Sequence, residues 1–218
     1  MNRTALVGLA LVVLLGGFAL AASAFRAGDV EAVAEVVATQ SEVLVPPHAI
    51  RYGDESAKVV IVEFYDPACE TCARVAPVVK GLVKDSGGRV QLVLRYAPLH
   101  KGASDVAILL EATRKQDRYW ETLDLLLSTQ ERWTVHHAVE MSRVFALLEE
   151  SGHDIVALNT AMQDPKLAAL VAQDTRDAQT LGVKATPEFF VNGKPLPEWG
   201  MGPLKALVDS ETARLYGR

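Results

Sequence analysis

Cys69-Glu70-Thr71-Cys72 holds the only two cysteines of the chain, and it falls where a strand-like run gives way to a helix-like one. Residues 59–65 are apolar and β-branched apart from Glu63, the pattern of a buried strand. Residues 73–84 have helical periodicity, with Pro77 expected to kink the helix. Two thiols at this spacing can close a disulfide across one helical turn. The first also faces the unpaired N–H groups and positive dipole end of the helix. Such surroundings favour a thiolate, the form that thiol–disulfide exchange requires.

Other uses of a CxxC fit less well. Structural zinc wants four N or S ligands, and no second CxxC or HxxxH completes a set. A structural bridge gains stability with the length of the loop it closes, so one spanning a single turn contributes little.

The chain of 218 residues is half hydrophobic, enough for one main domain with a sizeable core. A net charge of −5 with dispersed Lys and Arg argues against nucleic acid as a partner. No charge lies between Arg3 and Arg26, and residues 5–22 are nearly all apolar, close to the roughly twenty needed to cross a bilayer. Residues 1–26 therefore read as a membrane anchor or a signal peptide, since Ala22-Ser23-Ala24 is also a small-x-small cleavage site. In either case the rest of the chain is expected outside the cytoplasm, and an uncleaved segment would hold it to the inner membrane with Arg3 on the cytoplasmic side. Disulfides persist in such a periplasm-like compartment. With no cysteines to spare for bridges of its own, the protein reads as one that acts on the cysteines of others.

Residues 27–54 read as a connector, with a short helix at 29–38 and a stop at Pro46-Pro47. After the CxxC helix, Asp85-Ser86-Gly87-Gly88 turns the chain into a second strand over 89–96, giving a βαβ unit with a parallel pair. A helical insert follows at about 103–182. Within it a helix over 135–150 is capped by Gly152, and a last one opens at Asp164-Pro165. Trp120 and Trp133 are expected to pack inside this block. Asn192-Gly193 between short apolar runs is a strong hairpin signal, and a final helix should begin near Pro203.

Strand, CxxC helix, strand, helical insert, then Thr186-Pro187 before a hairpin and a last helix: over about residues 55–215 of a domain spanning 55–218, the chain resembles the thioredoxin superfamily. It is most similar to the DsbA/DsbG-type branch of exported thiol–disulfide oxidoreductases. The resemblance implies an α/β thioredoxin fold with a helical insertion, preceded by the apolar segment. Cys69 and Cys72 match the redox pair, Pro187 the cis-proline preceded by Thr186, and Glu63 the buried acid that moves the second cysteine's proton. Arg95 is a possible charge partner of Glu63, or simply a solvated strand end. No dissociable cofactor or metal is implied. The implied partners are cysteine-containing exported proteins and a redox partner in the membrane.

The chain also departs from the branch. Glu-Thr separates its cysteines where strong oxidants have Pro-His, so the Glu70 carboxylate is expected to oppose the Cys69 thiolate. The connector is too short for the dimerisation domain of the dimeric isomerases. The alternative function is a periplasmic copper-handling protein using the thiolates as soft Cu(I) ligands, helped by His137 and Met141 on one helix. Such a protein needs neither Glu63 nor Pro187.

Overall fold

The computed structural model describes residues 43–217. Its elements in chain order are β1 (Ile50–Gly53), β2 (Val59–Tyr65), α1 (Glu70–Asp85), β3 (Val90–Tyr96), α2 (Ala103–Arg114), α3 (Tyr119–Ser128), α4 (Gln130–Trp133), β4 (Thr134–Val135), β5 (Ala138–Val139), α5 (Met141–Glu150), α6 (Ile155–Met162), α7 (Pro165–Thr180), β6 (Glu188–Val191), β7 (Lys194–Pro195) and α8 (Met201–Tyr216). The apolar segment and the 29–38 helix expected from the sequence lie outside the described residues. Among those described, no helix is long and apolar enough to cross a membrane.

The central sheet has the order β1-β3-β2-β6-β7. β2 and β3 pair in parallel from Val59↔Val90 to Tyr65↔Tyr96, with α1 as their crossover. β6 runs antiparallel to β2 on the other side. The C-terminal ends of β2 and β3 and the N-terminal end of β6 therefore meet at one edge of the sheet. Side chains alternate along β2, so Ile61 and Tyr65 join the core under α1 and the helical block while Val62 and Phe64 join a second core on the opposite face. This alternation turns Glu63 toward α1.

Ile50–Gly53 corrects the connector reading. It is an edge strand antiparallel to β3, beginning at Ile50↔Leu94. Four residues carry too little periodicity to announce themselves. Gly53, at φ +106°, is required there, because a Cβ would come within 2.7 Å of Val83 Cγ1 and 3.0 Å of the Val90 carbonyl. The Asn192-Gly193 hairpin forms as expected. Both residues have positive φ, and Asn192 also bonds Val60 through its backbone N–H and its side-chain oxygen.

The insert is not helical throughout. β4 and β5 make a hairpin whose tip, His136-His137, has φ of 49° and 60°. The helix expected over 135–150 therefore starts at Met141, and His137 does not share it. Trp133 is buried in the block and donates its indole N–H to the Leu126 carbonyl. Trp120 instead packs on Tyr52 of β1, with ring centroids 5.0 Å apart. Asp164 caps α7 as expected, accepting from Lys166 N–H.

Arg95 is neither a partner of Glu63 nor a solvated strand end. It is fully buried on the opposite face, where it donates to Asp174 and Asp177 of α7 and to the Leu44 carbonyl. The ladder of β3 thus has an ionic tie to the last helix of the insert.

Candidate active site

The β2–α1 turn places Cys69 at the N-cap of α1, with its carbonyl accepting from Ala73 N–H. Cys72 lies one turn in and is only 1% exposed, against 7% for Cys69. Both are free thiols. From the β6 side, the Thr186–Pro187 bond is cis. The Thr186 carbonyl oxygen lies 3.3 Å from Cys69 Sγ and accepts from it when the thiol is protonated. Glu63, with its carboxyl on the α1 side of β2, lines the same cavity as Cys72. The structure therefore brings Cys69, Cys72, Glu63, Thr186 and Pro187 together.

The electrostatics separate the two thiols. A hydrogen bond from the Cys72 thiol is the largest influence on Cys69. The Thr186 side chain and the backbone N–H groups of Cys72 and Thr71 assist it, and together they outweigh burial and lower the Cys69 pKa to about 5. Cys72 is pushed far up, first by burial, then by its bond to Cys69 and by the negative charges of Glu63 and Cys69. Burial, with a smaller push from the Cys69 charge, raises Glu63 to about 8. Glu70 is not among the groups that set the Cys69 thiolate. Its carboxylate turns outward and lies 3.4 Å from His137 Nδ1, both side chains largely exposed.

Sequence reasoning missed Asp66, which is fully buried. Its carboxylate accepts from the N–H groups of Ala68, Leu99 and His100 and contacts His100 Nδ1 at 2.8 Å. It thereby ties the loop entering α1 to the loop leaving β3. Asp66-Pro67 before a helix reads as an ordinary turn, so only the downstream partners reveal its role. Also unforeseen is a buried hydroxyl chain in which Tyr65 meets Tyr119, Tyr119 meets Tyr96, and Tyr96 donates to Glu111. Among the described residues no group of three or more His, Cys, Asp or Glu side chains is placed to hold a metal ion. The helix imagined to present His137 and Met141 together does not exist.

A family profile described as Thioredoxin matches residues 46–209, and the chain belongs to that family. A solved structure from Silicibacter pomeroyi, a thioredoxin-like oxidoreductase, is 30% identical with a TM-score of 0.66, covering 79% of this chain and 95% of its own. The fold is also that of alpha-DsbA1 from Wolbachia pipientis, 20% identical with a TM-score of 0.67 over 80% of this chain and 96% of the other. BdbD from Bacillus subtilis has it too, at 22% identity and a TM-score of 0.64, covering 74% and 91%. Together these place the chain in the thioredoxin superfamily with DsbA-type architecture. Among curated relatives, a Na(+)/H(+) antiporter NhaA of Herminiimonas arsenicoxydans is 30% identical over 144 residues, which is 66% of this chain and 22% of that protein. NhaA 3 of Salinispora tropica is 32% identical over 145 residues, 65% and 21%. The chain spans about a fifth of the length of these curated relatives.

Proposed function

We propose that the chain is an exported thiol–disulfide oxidoreductase that exchanges disulfides with cysteine-containing proteins through Cys69 and Cys72. The observation that carries this reading is the division of labour between the thiols: Cys69 is held as a thiolate at the helix start, while Cys72 stays protonated behind it with Glu63 at hand. In the reducing direction, Cys69 Sγ attacks a disulfide of the partner, breaking its S–S bond and releasing one partner thiolate. Cys72 then loses its proton to Glu63 and attacks Cys69 Sγ. This releases the second partner thiolate and leaves the Cys69–Cys72 disulfide. The partner gains two electrons and the protein loses two; the oxidising direction reverses every step.

The Thr186 carbonyl, beside the sulfurs and at the start of β6, suits backbone pairing with an extended segment of the partner. The apolar run at 5–22 supports an anchor or signal over residues 1–26 and a periplasm-like location, with a membrane redox partner to reset the pair. The catalytic domain then extends from about residue 44, where a compact unit begins, and contains β1.

Trapping tests the assignment. Cys72→Ser should accumulate a mixed disulfide with partner proteins through Cys69, visible on non-reducing gels, and Cys69→Ser should accumulate none. Adducts formed through Cys72 in the Cys69→Ser variant would reverse the roles.

The thiolate also sets an expected potential. Titrating the reduced protein by thiolate absorbance should give a midpoint near pH 5. Reference values are about 7 for thioredoxin and about 3.5 for DsbA. Two units below thioredoxin stabilise the reduced form by about 3 kcal/mol, or about 60 mV for two electrons. Added to thioredoxin's roughly −270 mV, this gives about −210 mV, a weaker oxidant than DsbA at about −120 mV. Equilibration with glutathione measures it, and a value near that of DsbA would mean that groups other than these govern the couple.

A further inference from the structure

The proposed role of Glu63 obliges it to exchange a proton with water in each cycle, yet Glu63 is only 3% exposed. In the reduced protein the Cys69 charge helps to keep Glu63 protonated. When Cys69 enters a mixed disulfide that charge disappears. Glu63 can then shed its proton and stand ready to take the one on Cys72. The shed proton needs a way out.

The cavity beside Cys72 is bordered by β2, β3, α1 and α3. Glu63, Tyr65, Cys72, Lys80, Trp120 and Asp124 contribute to its lining, and the remaining walls are aliphatic. It gives a water's centre about 20 Å³ of freedom, room for one molecule. Two of its polar residues are sealed from bulk solvent, Cys72 at 1% exposure and Tyr65 at 2%. The Tyr65 hydroxyl is engaged by Tyr119, and that chain ends on Glu111, itself 3% exposed, so it leads further inward. Lys80 and Asp124 remain. Their side chains are 14% and 58% exposed, and they form an ion pair. The Lys80 ammonium also lies 4.7 Å from the centroid of the Trp120 ring and 5.2 Å from that of Tyr52. A charge pair clasped between two aromatic rings thus stands between a buried acid and solvent.

We propose that the Lys80–Asp124 pair is the portal through which Glu63 exchanges its proton with bulk water. The proposal rests on the role given to Glu63 above. The Glu63 proton passes to water in the cavity, that water gives a proton to the Asp124 carboxylate, and Asp124 releases it to solvent; no electrons move. Lys80 is a positioning residue that holds Asp124 over the mouth.

The test uses the reduced protein and a disulfide-bridged peptide at saturating concentration, where the plateau rate reports attack by Cys72. Asp124 is exposed, so Asp124→Asn should fold normally. In dilute buffer its plateau rate should fall about tenfold, less than the hundredfold or more typical of losing a positioned proton-transfer group itself. Imidazole, a small proton carrier, should restore it, and the rate of Cys69 alkylation by iodoacetamide should stay unchanged. Lys80→Met should behave like Asp124→Asn, and Lys80→Arg like the wild type. A wild-type plateau in Asp124→Asn, or a loss that imidazole does not restore, overturns the portal. If Glu63→Gln is slow while Asp124→Asn is not, only the portal falls. If Glu63→Gln reaches the wild-type plateau, the role of Glu63 fails and the portal goes with it.

Discussion

Glu63→Gln should stabilise the reduced protein by up to about 3 kcal/mol at pH 7 while slowing disulfide formation between its cysteines about a hundredfold. Both effects come from one buried carboxyl. An exposed glutamate of the unfolded chain ionises near 4.5, and burial in the fold raises Glu63 to about 8. Below pH 4.5 the group is protonated whether the chain is folded or not, and it contributes nothing to stability. As pH rises from there, the unfolded chain ionises and the folded one does not, so stability falls by about 1.4 kcal/mol per unit until the folded group ionises too. Glutamine removes that penalty. The gain should therefore be absent at pH 4, grow through neutrality and level off above about pH 8. Denaturant titrations of the reduced wild type and variant at several pH values measure it. A variant no more stable than wild type at pH 7 would mean that Glu63 is not held protonated.

Arg95→Ala should have the opposite sign, costing about 3–5 kcal/mol, because it leaves charged partners buried without their counterion. Asp174 is 1% and Asp177 8% exposed, and Arg95 donates to both. Burial works against the Asp174 carboxylate, but bonds from His48 and Arg95 outweigh it and lower its pKa. A depressed carboxylate contributes stability above its unfolded pKa, and that contribution fades as pH falls through the folded value. The wild type should therefore lose this network only under strongly acid conditions. Replacing both carboxylates alongside Arg95 should recover part of the deficit in urea unfolding. A single variant as stable as the wild type would show that the tie between β3 and α7 is energetically idle.

What could be read in the sequence was whatever local pattern decides. The β-branched run at 59–65, the CxxC at its end and Asn192-Gly193 each specify their own backbone, so the parallel pair, the helix start and the hairpin follow from neighbours alone. Thr186 and Pro187 were placed through family resemblance, and the structure sets them against Cys69 across 117 residues. The errors fall where distant partners decide. Arg95 read as ambiguous because its partners lie 79 and 82 residues away on α7. His137 read as helical because two residues in the left-handed region leave no mark on hydrophobic periodicity.

The bonds of Asp66 have a mechanical consequence. One carboxylate grips the loop that carries Cys69 and the loop that opens the helical block, which begins at Ala103. The two loops are therefore tied to a single buried carboxylate. Force on the helical block therefore has an unbroken path of hydrogen bonds, through this carboxylate, to the turn that carries Cys69. In this architecture the insert is a handle as well as a cover.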